Sequence, residues 1–582
     1  MRRRRRGSVE GGSVNERERQ PSRLARGRRS ADVPRLAVGL LMACGAMSGC
    51  GRADADIVVV GGPIWTADPA KPWAEGLAVR GTRIVAVGPA VEIRSLVGPR
   101  TAVVELDGRF AMPGFIDTHA HFIEGGFRLS GVDLREAASP DALASRLAEF
   151  VETVEDGVWI LGGDWDHQLW GGELPDRSWI DAVTPRNPVL ITRLDGHMAL
   201  ANTYALELAG IDEVIETPPG GEIVRDASGR LTGVFKDEAM SLLQAHVPEP
   251  TAEQRDSALR AAMRHAASVG VTGVHDMGSW ENLETYRRAH ARGDLTLRVY
   301  AFVPLSSWER LAEEVERRDG TGDGWLRLGG LKGFVDGSLG SGTAFFCDPY
   351  AGEQAYRGLQ VTPLEELREQ MRAADAAGLH IAVHAIGDCA NGLLLDLYGE
   401  IASENGSRDR RHRVEHAQHL QPADYGRFAR LGVIAAMQPY HAIDDGRWAE
   451  SRIGQDRIQS TYAFRDLLDA GAEVAFGSDW TVAPLDPLLG VYAAVTRRTL
   501  DGAHPDGWVP GQRIRVEEAL TAYTAVAARA GFFDGVTGML REGWEADLVI
   551  IDRNPFEVDP QDLADLKVRL TIVGGTVVFQ AD

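Results

Sequence analysis

Residues 113–125 read PGFIDTHAHFIEG, an apolar run that ends in an aspartate and two histidines. His119 and His121 are two positions apart, so on a β-strand both imidazoles would point to the same side. The apolar residues before them predict a buried strand with the histidines at its carboxyl end. The fold then depends on whether strands of this kind recur along the chain.

Similar strands do recur, with polar residues at their ends and helical segments between them. The runs are GFIDTHAH, VTGVHDMG, LRVYAFVP, LKGFVDG, HIAVHAIGD, HRVEHAQ, VIAAMQP and VAFGSDW. Amphipathic patterns such as LEELREQMRAADAAG lie between several of them. These alternating β–α units predict an α/β fold, a (β/α)8 TIM barrel, in which the reactive groups lie where strands end.

The segments around the barrel strands have their own patterns. Short β-rich runs separated by glycine turns at residues 54–112 and 536–582 predict a small β-sandwich domain formed by both termini. Residues 113–130 contain the first barrel strand, and residues 267–535 contain the rest of the barrel. Residues 131–266 are too many for a loop and have strand and helix patterns, so we expect an inserted α/β subdomain over the barrel mouth.

Charge and hydropathy set the amino terminus apart. The chain has a net charge of −22 although its first residues are rich in arginine, and the acidic body argues against nucleic acid as a partner. The apolar stretch LAVGLLMACGAMS at residues 36–48 is too short to span a bilayer and is typical of a signal peptide, which we place at residues 1–49.

Cys50 follows small residues at the end of that stretch, as in a bacterial lipobox. We therefore expect an exported lipoprotein that contacts the membrane only through a lipid anchor at Cys50. An ordinary secretory signal cleaved nearby and a misplaced start codon are the alternatives. Outside the leader, Cys347 and Cys389 could pair if the protein is exported, but they lie in separate loop patterns, so we expect two unpaired, partly buried thiols. The sequence leaves the oligomeric state open.

Five side chains close the predicted barrel strands with groups that bind metals: His119, His121, His384, His416 and Asp479. Neutral imidazole and carboxylate suit zinc and related divalent ions. A single histidine is more often a hydrogen-bonded core or surface residue, but several at equivalent strand ends favour a divalent metal site.

Two further strand residues allow two interpretations each. Lys332 lies within the fourth predicted strand, where a buried ammonium is costly unless it is paired or neutralised. It is either a carboxylated lysine that binds metal through oxygen or a solvated lysine at the barrel rim. His275 closes the second strand and either contacts substrate or packs against the insert.

The motifs PGFIDTHAH, GFVDGSLGSGTA, VHAIGD, HRVEHAQ, GSDW and GMLREGWEADLVIID together resemble those of the amidohydrolase superfamily. Within it, the chain is similar to amidohydrolase family 3, the group of YtcJ-like proteins and N-substituted formamide deformylases, over about residues 55–580. The motifs are specific in combination. One departure is that Gly342 stands where the family pattern usually has an arginine, so a guanidinium that could hold a substrate anion is missing.

The resemblance implies a site with two divalent metal ions, usually zinc. By that match His119, His121 and Asp479 hold one ion, His384 and His416 hold the other, and carboxylated Lys332 bridges them. The implied reaction is hydrolysis of a non-peptide carbon–nitrogen bond (amide, N-substituted formamide or cyclic amide) in a small-molecule substrate by metal-activated hydroxide, with Asp479 as the catalytic proton carrier. A mononuclear-metal esterase or lactonase and a non-catalytic surface binding protein are the alternatives.

Two segments resemble pocket segments of this group more loosely. RLDGHMALAN contains His197 and GGDWDHQLWGG contains Trp165. The resemblance makes both residues candidates for substrate contact. The alternative for each is that it stabilises the inserted subdomain.

Overall fold

The structure is a computed structural model that describes residues 54–318 and 320–581. The leader predicted at residues 1–49 and Cys50 lie outside the described residues, so the signal peptide and the lipid anchor stay predictions. Within the described ranges, the helices are all too short or too polar to cross a bilayer.

The strands of the described residues belong to three sheets. In chain order they are β1 (Ile57–Trp65), β2 (Trp73–Arg80), β3 (Arg83–Gly88), β4 (Ala102–Glu105), β5 (Phe110–Pro113), β6 (Phe115–Ala120), β7 (Val132–Asp133), β8 (Ile160–Trp165), β9 (Val189–Arg193), β10 (Met198–Ala201), β11 (Gly221–Arg225), β12 (Leu231–Asp237), β13 (Val271–Asp276), β14 (Arg298–Pro304), β15 (Leu326–Phe334), β16 (His380–Ala385), β17 (Arg413–His416), β18 (Ile434–Met437), β19 (Val474–Phe476), β20 (Leu548–Ile551), β21 (Val568–Val573) and β22 (Thr576–Gln580).

Several helices begin at residues whose side chains cap the first turn, among them α7 (Ala252–Ser268). At α7, the Thr251 hydroxyl accepts from Gln254 N at 3.2 Å and the Gln254 side chain accepts from Thr251 N at 2.8 Å, which satisfies two donors of the first turn. The α-helices are α1 (Ala90–Arg94), α2 (Phe122–Arg128), α3 (Pro140–Val151), α4 (Ser178–Asp181), α5 (Thr203–Ala209), α6 (Ser241–Gln244), α7 (Ala252–Ser268), α8 (Trp280–Arg292), α9 (Trp308–Arg317), α10 (Leu364–Ala376), α11 (Asp388–Glu404), α12 (Tyr425–Leu431), α13 (Pro439–Asp445), α14 (Ala449–Ile453), α15 (Gln455–Ile458), α16 (Phe464–Asp469), α17 (Pro487–Thr496), α18 (Val516–Ala522) and α19 (Ala525–Ala530).

The eight predicted runs form the eight strands of one parallel sheet, in the order β19-β18-β17-β16-β15-β14-β13-β6. Strands such as β13 and β16 are buried along their whole length, because helices cover the outside and side chains fill the inside. The first and last strands meet where Asp479 N donates to His119 O at 2.7 Å and His121 N donates to Trp480 O at 2.6 Å. The expected (β/α)8 barrel is therefore confirmed.

Strands from both ends of the chain share one sheet, in the order β22-β21-β20-β5-β1-β2-β3, with β4 beside β1. The two ends join where β20 pairs antiparallel with β5, with Val549 opposite Met112. Residues from both halves, such as Leu77 and Ile572, pack into the same hydrophobic core. The small β domain thus combines both termini, and its two halves lie in one hydrogen-bonded sheet.

The segment between barrel strands β6 and β13 contains a sheet of its own, in the order β11-β12-β10-β9-β8-β7. Strands β7, β8 and β9 run parallel to one another. The pairs β9–β10, β10–β12 and β12–β11 are antiparallel. Leu143, Ile191 and Val234 are among the residues of a separate core in this insert. The residue boundaries that the sequence analysis gave for the insert and for the other segments stay predictions.

The expectation of two unpaired thiols is wrong, because Cys347 and Cys389 form a disulfide with Cα atoms 4.8 Å apart. The buried carboxylate of Asp336 accepts backbone N–H groups from both loops, at 2.7 Å from Phe345 and 2.8 Å from Gly387. Asp388 adds a bond from Cys347 N at 2.8 Å. These carboxylates hold the two loops side by side, a long-range contact that loop patterns in the sequence do not reveal.

Candidate metal centre and active-site cavity

A cavity of about 410 Å³ opens at the carboxyl ends of the barrel strands, where the sequence analysis placed the chemistry. All six predicted ligands line it: His119, His121, Lys332, His384, His416 and Asp479. These residues come from five different strands or strand ends, so only the closed barrel brings them together.

The six side chains are close to one another. Nε2 of His119 and Nε2 of His121 each lie 3.4 Å from Oδ1 of Asp479, and Nζ of Lys332 lies 3.5 Å from Nε2 of His119. The His416 ring centre is 4.8 Å from that of His119 and 4.5 Å from that of His384. The geometry therefore allows a shared centre, while the role of each residue as a ligand stays a prediction.

Two of the six residues have a backbone conformation that non-glycine residues rarely adopt. His416 has φ of 74° and Asp479 has φ of 57°, and such left-handed backbone costs roughly 1–2 kcal/mol per residue. Glu415 points to the inside of the barrel, where it contacts His119. Because neighbouring side chains on a strand point to opposite sides, a regular strand would turn His416 outward. The strained turn lets His416 reach the cavity, in keeping with the accumulation of strain at functional sites.

Fixed acceptors determine which ring nitrogen of each histidine carries the proton. Nδ1 of His416 lies 2.9 Å from Oε1 of Gln438, and Nε2 of His384 lies 3.1 Å from the carbonyl oxygen of Gly337. Because these oxygens only accept, the facing nitrogens donate and the opposite nitrogens keep a free lone pair. This is the arrangement that metal-binding histidines need.

Burial keeps three of the four histidines neutral, whereas the Asp479 carboxylate outweighs burial at His121 and raises the pKa of that residue. For His119, His384 and His416, burial lowers the pKa well below the usual value, so these imidazoles are neutral at pH 7. Burial also lowers the pKa of Lys332 to about 8, which favours a reactive free amine. For Asp479, burial would raise the pKa, but the neighbouring His119 and His121 outweigh it, so the pKa is below the usual value.

This donor set fits a divalent metal ion. Ligand atoms of His119, His416 and Asp479 all lie within 4.8 Å of one another. Oδ1 of Asp479 is buried and has no hydrogen-bond partner in the described part of the chain. An ionised carboxylate oxygen left in that state is costly, and a bound cation would satisfy it.

The three predicted substrate-contact residues differ in their positions. His197 lines the cavity, with Nδ1 2.7 Å from Oδ1 of Asp237 and its ring centre 5.8 Å from that of His384. Trp165 is fully buried in the core of the insert, and its Nε1 donates to Ile191 O at 2.9 Å. The structure therefore keeps His197 as a candidate and gives Trp165 the stabilising role that was its alternative.

His275 also lies away from the cavity. It is fully buried inside the barrel, and its Nδ1 is 2.8 Å from a guanidinium nitrogen of Arg413. Its ring packs so tightly on Gly531 that a Cβ atom there would come within 2.3 Å of Nε2. We therefore correct the expected substrate contact: His275 packs inside the barrel, against Arg413 and Gly531 and not against the insert.

The sequence analysis missed several residues of the cavity wall. Asp237 orients His197, and His441 and Asp445 line the cavity from α13. The strand-end rule contained a signal for the last two, because the segment QPYHAIDD follows the seventh predicted run directly. Nothing in the local pattern marked Asp237, which ends β12 in the insert.

Several known proteins are similar to this chain over most of its length. Protein LONG AFTER FAR-RED 3 of Arabidopsis thaliana is 40% identical and covers 90% of this chain and 92% of its own. Putative amidohydrolase YtcJ of Bacillus subtilis is 31% identical over 89% of this chain and 98% of its own. N-substituted formamide deformylase of Arthrobacter pascens is 29% identical over 90% of this chain and 98% of its own.

A solved structure has a similar fold over most of this chain. That of an uncharacterized metal-dependent hydrolase from Pyrococcus horikoshii OT3 superposes with a TM-score of 0.71 at 29% identity, covering 87% of this chain and 99% of that one. The family model described as "Amidohydrolase family" matches residues 102–579. With the donor set described above, these matches indicate a metal-dependent hydrolase. The chain belongs to the amidohydrolase family, as its motifs predicted.

Proposed function

We propose that the protein hydrolyses a non-peptide carbon–nitrogen bond, in an amide, an N-substituted formamide or a cyclic amide, with the help of divalent metal ions. The observation that carries the proposal is the meeting of four histidines, Lys332 and Asp479 in one cavity. The similarity to a protein named N-substituted formamide deformylase, over 90% of this chain, supports the kind of bond.

The proposed site binds two zinc ions. His119 and His121 would hold one together with Asp479, and His384 and His416 would hold the other. Carboxylated Lys332 would bridge the pair, and the lowered pKa of its amine favours the neutral form that reacts with CO2. When bound, the ions supply Lewis acidity that activates water and polarises a carbonyl group.

The protein's own groups would orient the substrate and move the proton. Asp479, whose Oδ1 faces His119 and His121, would take the proton of the attacking water on its carboxylate and deliver it to the leaving nitrogen. His197, held by Asp237, would contact the substrate from the insert side of the cavity. Walls from the insert and from α13 would exclude bulk water while the bond breaks.

A hydrolysis screen with metal-reconstituted protein tests this proposal. N-acyl, N-formyl and cyclic amides would be assayed beside a panel of esters and lactones. Turnover of at least one amide class, and little of the esters, is the expected result. Turnover of esters or lactones alone would contradict the proposal and indicate an esterase or lactonase. Tight binding without product would indicate a binding protein.

Export is part of the proposal for this chain. The basic leader with its apolar stretch, followed by Cys50, supports a lipoprotein in the periplasm or on the cell surface. The Cys347–Cys389 disulfide also supports export, because disulfides persist in oxidising compartments. Fractionation of cells that express the full chain should find it with membranes, and Cys50→Ala should release it; a cytosolic protein in both cases would contradict this.

A further inference from the structure

We infer that the substrate carries a protonated amine besides its scissile amide, and that α13 recognises both groups, with Asp445 as the counter-ion of the amine and His441 as a hydrogen-bond partner at the amide. This inference rests on the proposed function and names the substrate class of the same cavity. It comes from the hydrogen bonds and ion pairs of the cavity wall.

The two carboxylate oxygens of Asp445 differ in their hydrogen bonding. Tyr462 Oη donates to Oδ2 of Asp445 at 2.6 Å, and Gln418 Nε2 donates to the same oxygen at 2.8 Å. Oδ1 has no hydrogen-bond partner among the described residues, and the side chain lines the cavity. A half-buried carboxylate of this kind gains most from a cation that arrives with the ligand.

Within the described residues no cationic group forms an ion pair with Asp445, and the nearby Arg193 and Arg447 pair with other carboxylates. The cationic side chains that line the cavity are Arg128, Arg193 and Lys332. Arg193 is held by Asp166 at 2.9 Å and by Asp195 at 2.6 Å, and Arg128 contacts Asp164. Lys332 lies beside His119 in the metal centre. With these groups committed, the wall offers little to an anionic substrate.

The remaining carboxylates of the cavity have partners. Asp166 and Asp195 pair with Arg193, and Asp444 pairs with Arg447. Both oxygens of Glu124 accept from the Asn282 amide, at 3.0 and 3.2 Å. Among the described carboxylates of the cavity outside the metal centre, Asp445 is therefore an acidic group with hydrogen-bond donors but no cationic partner, and a substrate ammonium would supply one.

His441 adds an independent sign of a ligand. It is only 9% exposed, it lines the cavity, and its Nε2 has no hydrogen-bond partner in the described residues. Its ring stacks on His416 with the ring centres 6.5 Å apart. His441 and Asp445 are four residues apart on α13, so they share one face of the helix with Cβ atoms about 5–6 Å apart.

This spacing defines a simple recognition pattern. A ligand polar group near the metal centre would satisfy His441, and an ammonium about one helical turn away would meet Asp445. An N-substituted formamide or amide with an aminoalkyl arm has both groups.

Two matched ligand pairs test the inference on the full, metal-loaded chain. The substrates are two N-substituted formamides of equal length, one ending in an ammonium and one in a hydroxyl. The non-hydrolysable ligands are the two corresponding N-alkyl methanesulfonamides, one ending in an ammonium and one in a hydroxyl, whose Kd can be measured whether or not the formamides turn over. We expect the ammonium member to have a kcat/KM at least about 10-fold higher and a Kd at least about 10-fold lower.

Variants separate the parts of the site. Asp445→Asn keeps an acceptor for Tyr462 and Gln418 and should reduce both preferences to about 2-fold, mainly through KM. Glu450→Gln, which removes an exposed charge on the following helix, should leave them unchanged. His441→Phe should lower kcat/KM for both formamides about 5–10-fold, the value of one hydrogen bond, without changing the preference.

The outcomes distinguish this inference from the proposed function. Equal Kd values for the ammonium and the hydroxyl sulfonamide in the unaltered protein, or a preference that persists in Asp445→Asn, would overturn the inference even if amides are hydrolysed. Binding preference without turnover of any amide in the wider screen would instead overturn the proposed hydrolysis and leave the ammonium site standing.

Discussion

Nδ1 of His119 lies 2.5 Å from Oε2 of Glu415, and both side chains are almost completely buried. The carboxylate accepts the Nδ1 proton, so Nε2 keeps the lone pair that faces Asp479 and Lys332. Arg413 holds the other oxygen of Glu415 at 2.6 Å and is itself fully buried. A charged pair inside the barrel thus fixes the orientation of the first predicted metal ligand.

Glu415→Gln should weaken metal binding about 10–100-fold, because residues that orient a metal-binding histidine typically contribute that much. It also leaves the buried Arg413 charge without a counter-charge, which costs about 3–5 kcal/mol of stability. The Kd for zinc, measured by chelator competition at a temperature where the variant is folded, checks the first effect, and chemical denaturation checks the second. Unchanged zinc affinity in the folded variant would show that Glu415 does not position His119.

Asp479→Asn should reduce turnover at least about 100-fold while the protein stays folded, since proton transfer of this kind contributes about 10²–10⁴-fold. The change removes the charge at the buried, unpartnered Oδ1 but keeps the size of the side chain. kcat and circular dichroism would be measured together with the metal content. Turnover close to that of the unaltered protein would rule out Asp479 as the proton carrier.

Selectivity for the ammonium substrate should rise with pH around neutrality. Burial raises the pKa of Asp445 to about 7, although the Tyr462 hydrogen bond opposes this; Asp444 is the like charge nearby, and Arg193 and Arg447 are the opposite charges. Below this pKa the carboxyl is neutral and the counter-ion is lost, whereas above it the charge is present. The ratio of kcat/KM for the ammonium and hydroxyl formamides, from pH 5.5 to 8.5 in about half-unit steps, cancels effects on the metal centre. A flat ratio would contradict the prediction.

Removal of the disulfide should destabilise the protein. It closes a loop with a sequence separation of 42 residues, so its loss costs about 2–4 kcal/mol. Cys389→Ser, unfolded in urea beside the oxidised and the reduced unaltered protein, checks this. Equal midpoints for the three proteins would mean that the bond does not constrain these loops in solution.

Much of the fold was predictable because the signals are local. Each barrel strand is a short apolar run with polar residues at its end, and period-two alternation placed His119 and His121 on one side. Glycine turns and β-rich runs likewise indicated the shared sheet of the two termini. The match of eight runs to eight strands needed no long-range information.

The remaining features depend on contacts between distant segments. Cys347 and Cys389 pair because the Asp336 carboxylate holds both loops, and Asp237 orients His197 across 40 residues of sequence. Trp165 was a candidate through the resemblance of its segment to a pocket segment and His275 through its place at a strand end, but both are fully buried by the packing of the insert and the barrel. Glu415 could not be predicted, because regular alternation that points His416 into the barrel would point Glu415 outward, whereas the positive φ of His416 places both side chains inside.

Metal analysis of the purified chain is the most direct test of the shared centre. Elemental analysis after reconstitution and removal of excess metal should find about two zinc equivalents per chain, and His384→Ala should lower this to about one while His119→Ala weakens the other site. Full amide turnover in protein that holds well below one metal equivalent would contradict the proposal that these six side chains form a working metal centre.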